Sequence, residues 1–299
     1  MSSLDFEGDL EDEETAADRF VVTKSASSWE DFLAWLNEIE GPWCFRGQRD
    51  SRWLLETSLD RAVKKEFSSA TGSGYSRLDR EPEIRELLFR FQQQAHQYIS
   101  DPPPDDDLSS WFAIMQHHGV PTRFLDWTKS PYVALYFALE EEPPVDGCAL
   151  WAIDLEWLEE RARKLLSETP ASAWGEFKER AKYVNQLLAQ TEKPVIIPVN
   201  PLRLDSQIVA QQGFFLCKLY HQASFSQILL GMMTNPGTAA GEPDIPDQPA
   251  VRRLVLKSEL RIGFLRNLRA MNIHRASLYP GLDGFGQSLR LDLEMKVKA

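Results

Sequence analysis

The sequence predicts an α+β fold with helices gathered early and strands later, and three observations carry that prediction. The stretch "WEDFLAWLNEIE" sets Trp29, Phe32, Leu33, Leu36 and Ile39 at helical spacing. "YVALYFALEEE" is apolar nearly all round, the mark of a helix buried at the centre of a fold. The runs "CALWAID", "PVIIPV" and "VRRLVLK" are short and apolar with few charges, as interior strands are.

Each element has its own local cause. Ser28 with Asp31 resembles a capping box, and Gly41-Pro42 stops the helix expected over about 29–40. "WCFRG" follows as a short strand. A polar Gly/Ser-rich loop occupies about 66–80, and a long helix over 82–99 carries Ile84, Leu87, Leu88, Phe91 and Ala95. "DPPPDDD" is a stiff break before a helix over 108–118. "TRFLDWT" reads as a strand, after which Ser130-Pro131 supplies an N-cap and a proline at the first helical position. Two helices are expected at 155–167 and 173–190. "SQIVAQQGFFLCKLY" reads as two strands, or one bent at Gly213. A proline-rich flexible loop spans about 234–250, a helix 258–271, and a turn with a closing helix ends the chain.

Composition narrows the function classes. The chain has 299 residues, 43% of them hydrophobic, and nine tryptophans, enough for a sizeable core. Its formal net charge is −12, but residues 1–20 hold eight acids and one arginine. The expected organisation is an acidic, disordered tail over 1–24 and a single domain over 25–299. The mildly acidic body disfavours extended nucleic-acid binding, which needs a broad basic face, and leaves room for a small anionic ligand or a protein partner. There is no uninterrupted run of 18 apolar residues and no signal-peptide pattern, so no membrane association is expected. Three cysteines without a C-x-x-C fit a reducing cytoplasm and buried free thiols.

The candidate chemistry starts at Arg46 in "CFRGQRDSRW". From 42 to 65 there are six bases against three acids, a local excess of positive charge in an acidic body. A strand puts Arg46 on the face opposite Phe45, and Gly47 leaves space for close approach of a ligand. A guanidinium grips phosphate through two parallel hydrogen bonds. The competing reading locks Arg46 in a structural ion pair with a residue such as Asp126. In "QHHGVPTRFLDWTKSPYVALYFA", His117 and His118 are adjacent at a helix end, about 100° apart around the axis, so they do not share a metal and no metal site is expected. Trp127 either stacks a flat ring or belongs to the core. Gln207, Gln211 and Gln212 can orient a ligand by their amides or are simply strand-edge polarity. The phosphate-loop, Rossmann, zincin and nucleophile-elbow signatures are absent.

Four blocks now stand out: "CFRGQ" at 44–48, the stretch at 116–138, "IVAQQGFF" at 208–215 and "NIHRASLYPGLDGF" at 272–285. Together they resemble the FRG domain, named for its Phe/Tyr-Arg-Gly motif, and on this resemblance residues 25–299 form one such domain. A more distant similarity is to mono-ADP-ribosyltransferases of the arginine-serine-glutamate type. These also open with Tyr-Arg-Gly on a strand, continue with Ser-Thr-Ser before an Ala-rich helix, and finish with Glu-x-Glu. That similarity implies a mixed or antiparallel split sheet with flanking helices around NAD, as in an ADP-ribosyltransferase-like core. Arg46, with Gly47 and Gln48, would hold the NAD phosphate or ribose, and Thr128 or Ser130 would brace the nicotinamide ribose. Trp127 or Tyr136 would flank the base, with His118, Gln207 and Gln211 near the ligand. Glutamines 207 and 211 stand where a glutamate is expected, so the carboxylate would have to be another, with Asp126 the candidate. The implied protein is an ADP-ribosyltransferase or NAD glycohydrolase of a bacterial-type toxin or defence effector. The alternative is a non-catalytic module that binds a nucleotide, a nucleic-acid end or a partner.

Overall fold

The structure, a computed structural model, describes residues 21–62, 81–166, 175–190, 192–202, 205–233 and 249–297. The acidic stretch 1–20, the whole loop at 66–80 and most of that at 234–250 lie outside the described residues.

Among the described residues seven strands form one mixed sheet flanked by helices, so the fold is α+β. In chain order the strands are β1 (Val22–Ala26), β2 (Trp43–Gln48), β3 (Phe124–Thr128), β4 (Cys148–Asp154), β5 (Ile196–Val199), β6 (Gly213–Lys218) and β7 (Val251–Leu256). Their order across the sheet is β1-β7-β4-β2-β3-β6-β5. β1 runs parallel to β7 and the other neighbours are antiparallel. Residues 22–24, expected in the acidic tail, instead begin β1. Its sequence VTKSA has no apolar alternation and is mostly exposed, so backbone pairing to β7, not side-chain pattern, makes it a strand.

The helices, in chain order, are α1 (Trp29–Asn37), α2 (Glu81–Ala95), α3 (Leu108–His117), α4 (Pro131–Leu139), α5 (Leu155–Leu166), α6 (Phe177–Gln190), α7 (Ser206–Ala210), α8 (Phe225–Met233), α9 (Arg261–Ala270), α10 (Arg275–Leu278) and α11 (Leu282–Val297). Pleating divides the core between the two faces of the sheet. Cys44, Ala149, Trp151 and Ile153 pack with residues of α3, α5, α6 and α8. Trp43, Phe45, Leu150 and Ala152 pack with residues of α1, α4 and α9. The expected strand around 206–212 is in fact α7, capped by Asp205, whose carboxylate accepts from the Ile208 N–H at 2.8 Å. Gln212 then takes a left-handed conformation, φ 48°, and β6 starts at Gly213. The cap and that turn override the strand-like look of the sequence.

α4 is the central helix. The Ser130 hydroxyl accepts from the Val133 N–H at 3.3 Å and Pro131 opens the helix, as the sequence indicates. Residues 133–136, 138 and 139 are all buried. The helix lies directly on β2. A Cβ added to Gly47 would sit 1.9 Å from the Ala134 carbonyl oxygen and 2.6 Å from the Ala138 nitrogen. Gly47 therefore has a packing role of its own, the seating of helix on strand, besides the room for a ligand expected of it.

Beneath the opposite face, Lys218 and Asp60 form an ion pair in which both side chains are almost fully buried. Lys218 also donates to the Ala223 carbonyl at 2.8 Å, and Asp60 accepts from the Thr57 N–H at 2.9 Å. The pair is therefore hydrogen-bonded on both sides, as a buried charge must be.

The three cysteines are free and buried. Burial raises all three thiols: Cys148 to about 12, Cys217 to about 11, and Cys44 well above its ordinary value.

Two outcomes follow from this packing. Gly47→Ala will lower unfolding free energy in urea by about 1–3 kcal/mol or more, because the colliding atoms are helix backbone that cannot swing aside; an unchanged midpoint would contradict the close contact. Thiol reagent at pH 8 will leave the native protein unmodified and label all three cysteines after unfolding, since a raised pKa keeps each thiol protonated far below it and the thiolate is the reactive form.

Candidate functional site

The sheet is unevenly laced. β2 shares six registered pairs with β4, and β3 shares five with β6, but β2 and β3 share one, Phe45 with Thr128. Beyond that rung the two strands part. The gap is bridged by a side chain: Nη1 of Arg46 donates to the backbone carbonyl of Asp126 at 2.6 Å and lies 3.9 Å from its carboxylate.

A cavity of about 450 Å³ opens at this parting. β2 contributes Phe45, Arg46 and Gly47, and β3 contributes Asp126, Trp127 and Thr128. Gln116 of α3 lines it together with Gln207 and Gln211 around α7, and Phe137 of α4 and Tyr279 complete the wall. Because α3 belongs to one core and α4 to the other, the cavity lies where the two halves of the core meet. Ser58 and Arg61 also line it.

Arg46 is largely enclosed, its side chain 19% exposed. Burial lowers its pKa, the Asp126 carboxylate acts against that, and nearby Arg61 adds to it. Its Nε is buried with no acceptor, and so is the indole Nε1 of Trp127. A buried donor without a partner costs roughly 1–3 kcal/mol. Asp126 is the exposed residue of an otherwise buried strand. Its carboxylate accepts from Nε2 of Gln116 at 3.0 Å, and the same amide nitrogen lies 3.3 Å from the Phe124 carbonyl. Oε1 of Gln116 accepts in turn from the Thr122 hydroxyl. This chain fixes one carboxylate edge at the cavity beside one guanidinium.

The residues singled out in the sequence divide. Arg46, Gly47, Asp126, Trp127, Thr128, Gln207 and Gln211 all line the cavity; Gln48, His118 and Ser130 do not. Gln48 is buried on the same face of β2 as Arg46, accepting from the Trp151 indole at 2.6 Å and donating to the Leu54 carbonyl at 3.0 Å, and it lines an adjoining cavity instead. His118 caps α3 and faces a separate groove beside α2. Ser130 is spent on capping α4. Tyr136, expected near a base, is buried with its hydroxyl on Glu140 at 3.1 Å; its neighbour Phe137 reaches the cavity instead. The Thr128 hydroxyl donates to the Gln211 carbonyl at 2.7 Å and accepts from the Ser130 N–H at 3.0 Å, so it braces the cavity wall and has no proton left for a ribose. The Gln211 side chain donates to the Leu278 carbonyl at 3.1 Å. His117 and His118 stand edge to face, and His117 is 3.4 Å from Asp205. No group of three potential metal ligands exists among the described residues.

Sequence reading missed Tyr279, Phe137, Arg61 and Gln116 as site residues. Tyr279 is held by Arg275, whose guanidinium lies 4.3 Å from its ring centroid and is ion-paired to Glu140. Burial, with Glu140 adding to it, pushes the Tyr279 hydroxyl up to about 12. The block that carries Tyr279 was visible as a motif, but only the fold shows it crossing to β2.

The fold and this cleft define an α+β protein with a ligand-sized cavity at a parted strand pair, one arginine and one aspartate at its centre. Residues 41–147 match the family model of the FRG domain, and the chain contains that domain. The match includes Arg46, Asp126 and α4; the blocks supplying Gln211 and Tyr279 lie beyond it yet complete the same cavity. No curated protein and no solved structure matches the chain. Among the described residues, no helix is long and apolar enough to cross a membrane.

Thr128→Val, which keeps the shape and removes both hydrogen bonds, will cost about 1–3 kcal/mol in a urea titration, because the half-buried Gln211 carbonyl and the buried Ser130 N–H lose their partner. Equal stability would show that the hydroxyl does not hold the wall.

Proposed function

We propose that the FRG-domain cleft binds a nucleotide of the NAD class and that the protein is an ADP-ribosyltransferase-like or NAD-cleaving enzyme. The observation that carries this is the pairing of Arg46 and Asp126 at the one place where the sheet opens. Arg46 commits Nη1 to Asp126 and lines the cavity, and because a guanidinium carries five donors it retains others for a phosphate or ribose oxygen. Asp126 is the acidic residue among those lining the first cavity. In such a reaction the bond between nicotinamide nitrogen and ribose carbon breaks, and nicotinamide leaves with the electron pair. The ribose gains oxocarbenium character, which a carboxylate within the cavity stabilises. Water or an acceptor group then forms the new bond to the same carbon and gives up its proton, for which Asp126 is the available base. Gln207 and Gln211, at the positions of the expected glutamate, supply no charge. The effector role implied by the family likeness belongs to this same reading.

One observation favours binding without turnover as a second reading: the Asp126 carboxylate is already held by Gln116 and faces Arg46. Nicotinamide release from NAD separates the two. The enzyme reading expects release by the native chain and a fall of about 10²-fold or more in Asp126→Asn and in Arg46→Ala, the size of losing one charge-stabilising group. NAD binding with no release above blank establishes the binding module, and no binding removes both.

A further inference from the structure

A second cavity, of about 650 Å³, adjoins the first, and the two share a wall made of Arg46, Gly47, Arg61 and Phe137. Both volumes fall in the range of ordinary small-molecule sites. The charges around the second cavity are distributed unevenly. Arg49 is bound to Glu141 at 2.6 Å, and Arg52 is bound to Asp50 at 2.8 Å and Asp146 at 3.2 Å. Those two arginines are neutralised by the protein itself. Arg61 has only a backbone partner among the described residues, the Glu56 carbonyl at 2.8 Å. The shared wall thus carries Arg61, which has no acidic partner among the described residues, beside Arg46, whose Asp126 carboxylate stands 3.9 Å off, while the arginines farther along the second cavity are closely paired. A ligand matched to this pattern has its negative charge in the middle and neutral groups at both ends. A mononucleotide, charged at one end, does not match it; two nucleosides joined through a pyrophosphate do.

The second cavity also offers a ring surface. Trp53 lines it and is 46% exposed, which is high for a tryptophan. The Arg49 guanidinium stacks over it at 5.4 Å from the centroid, and the Arg49–Glu141 pair steadies that arrangement. An exposed indole fixed in a cavity next to a phosphate grip suits a nucleobase.

We propose that the second cavity is a nucleoside subsite, so that the whole cleft takes a dinucleotide with its pyrophosphate across Arg46 and Arg61 and its second base on Trp53. This rests on the nucleotide reading of the first cavity. Asp126 lines only the first cavity, so the nicotinamide half belongs there and the adenosine half belongs against Trp53.

Calorimetric titration of the full chain with NAD, nicotinamide mononucleotide and AMP tests the assignment. Trp53→Ala will weaken NAD and AMP by about 5- to 100-fold, the range for losing one base–aromatic stack, and leave nicotinamide mononucleotide within about twofold. Trp53→Phe, which keeps a stacking ring, will recover most of the NAD affinity and guards against a folding defect. If Trp53→Ala leaves NAD binding unchanged, or weakens all three ligands equally, the second subsite is wrong while the first cavity stands. If the native chain binds none of the three, the nucleotide reading falls and this inference with it.

Discussion

The structure turns on one missing ladder. A sheet strand normally satisfies its backbone groups with its neighbours, yet β2 and β3 meet at a single rung. The guanidinium of Arg46 takes over by donating to the Asp126 carbonyl, tying the two strands without closing them. The same contact that holds the seam together leaves a cavity beside it. An arginine is suited to this because its planar fork spends one donor on structure and keeps others. A lysine would have to choose between seam and ligand.

The three residues of the Phe-Arg-Gly motif thus have three different physical tasks. Phe45 is buried in the core under α4 and carries the last rung. Arg46 points to the other face and bridges the gap. Gly47 lets the backbone of α4 settle on β2, which no side chain would permit. Removing any one acts on a different link: core burial, charge at the cavity, or the approach of helix to strand. α4 is therefore as much a part of the site as the strands. It sets the height of β2, presents Phe137 to the cavity, and ends at Glu140, which anchors Arg275.

The C-terminal third closes what the family match begins. Arg261 is buried, donating to the carbonyls of Leu139 and Glu140 and pairing with Glu294 at 2.6 Å. Arg275 pairs with Glu140 and carries Tyr279 to the cavity. Two arginines from distant sequence thus converge on the end of α4: Arg261 satisfies carbonyls that a helix terminus leaves open, and Arg275, on the Glu140 carboxylate, seats the last segment of the wall. Asp126 and Gln116 are set by short-range bonds, whereas Tyr279 and Gln211 arrive through these longer connections.

Local chemistry made much of this legible in the sequence. The cap and proline of α4, its all-round apolar surface, the alternation that sets Phe45 and Arg46 on opposite faces, and the buried thiols in strands each follow from properties of neighbouring residues. What stayed illegible depends on distant partners. β1 exists because β7 offers an unpaired edge, and α7 replaces an expected strand because an aspartate cap and a left-handed Gln212 outweigh its β-like residues. Gly47 serves a helix nearly ninety residues away, Thr128 spends its hydroxyl on Gln211, and Arg49 and Arg52 are bound closely by acids while Arg46 stands 3.9 Å from the Asp126 carboxylate and Arg61 holds a backbone carbonyl. Sequence determined which residues have the chemistry to grip an anion. Only the tertiary structure decided which of them are free to do so, because a charged group's availability is set by the partners the fold brings to it.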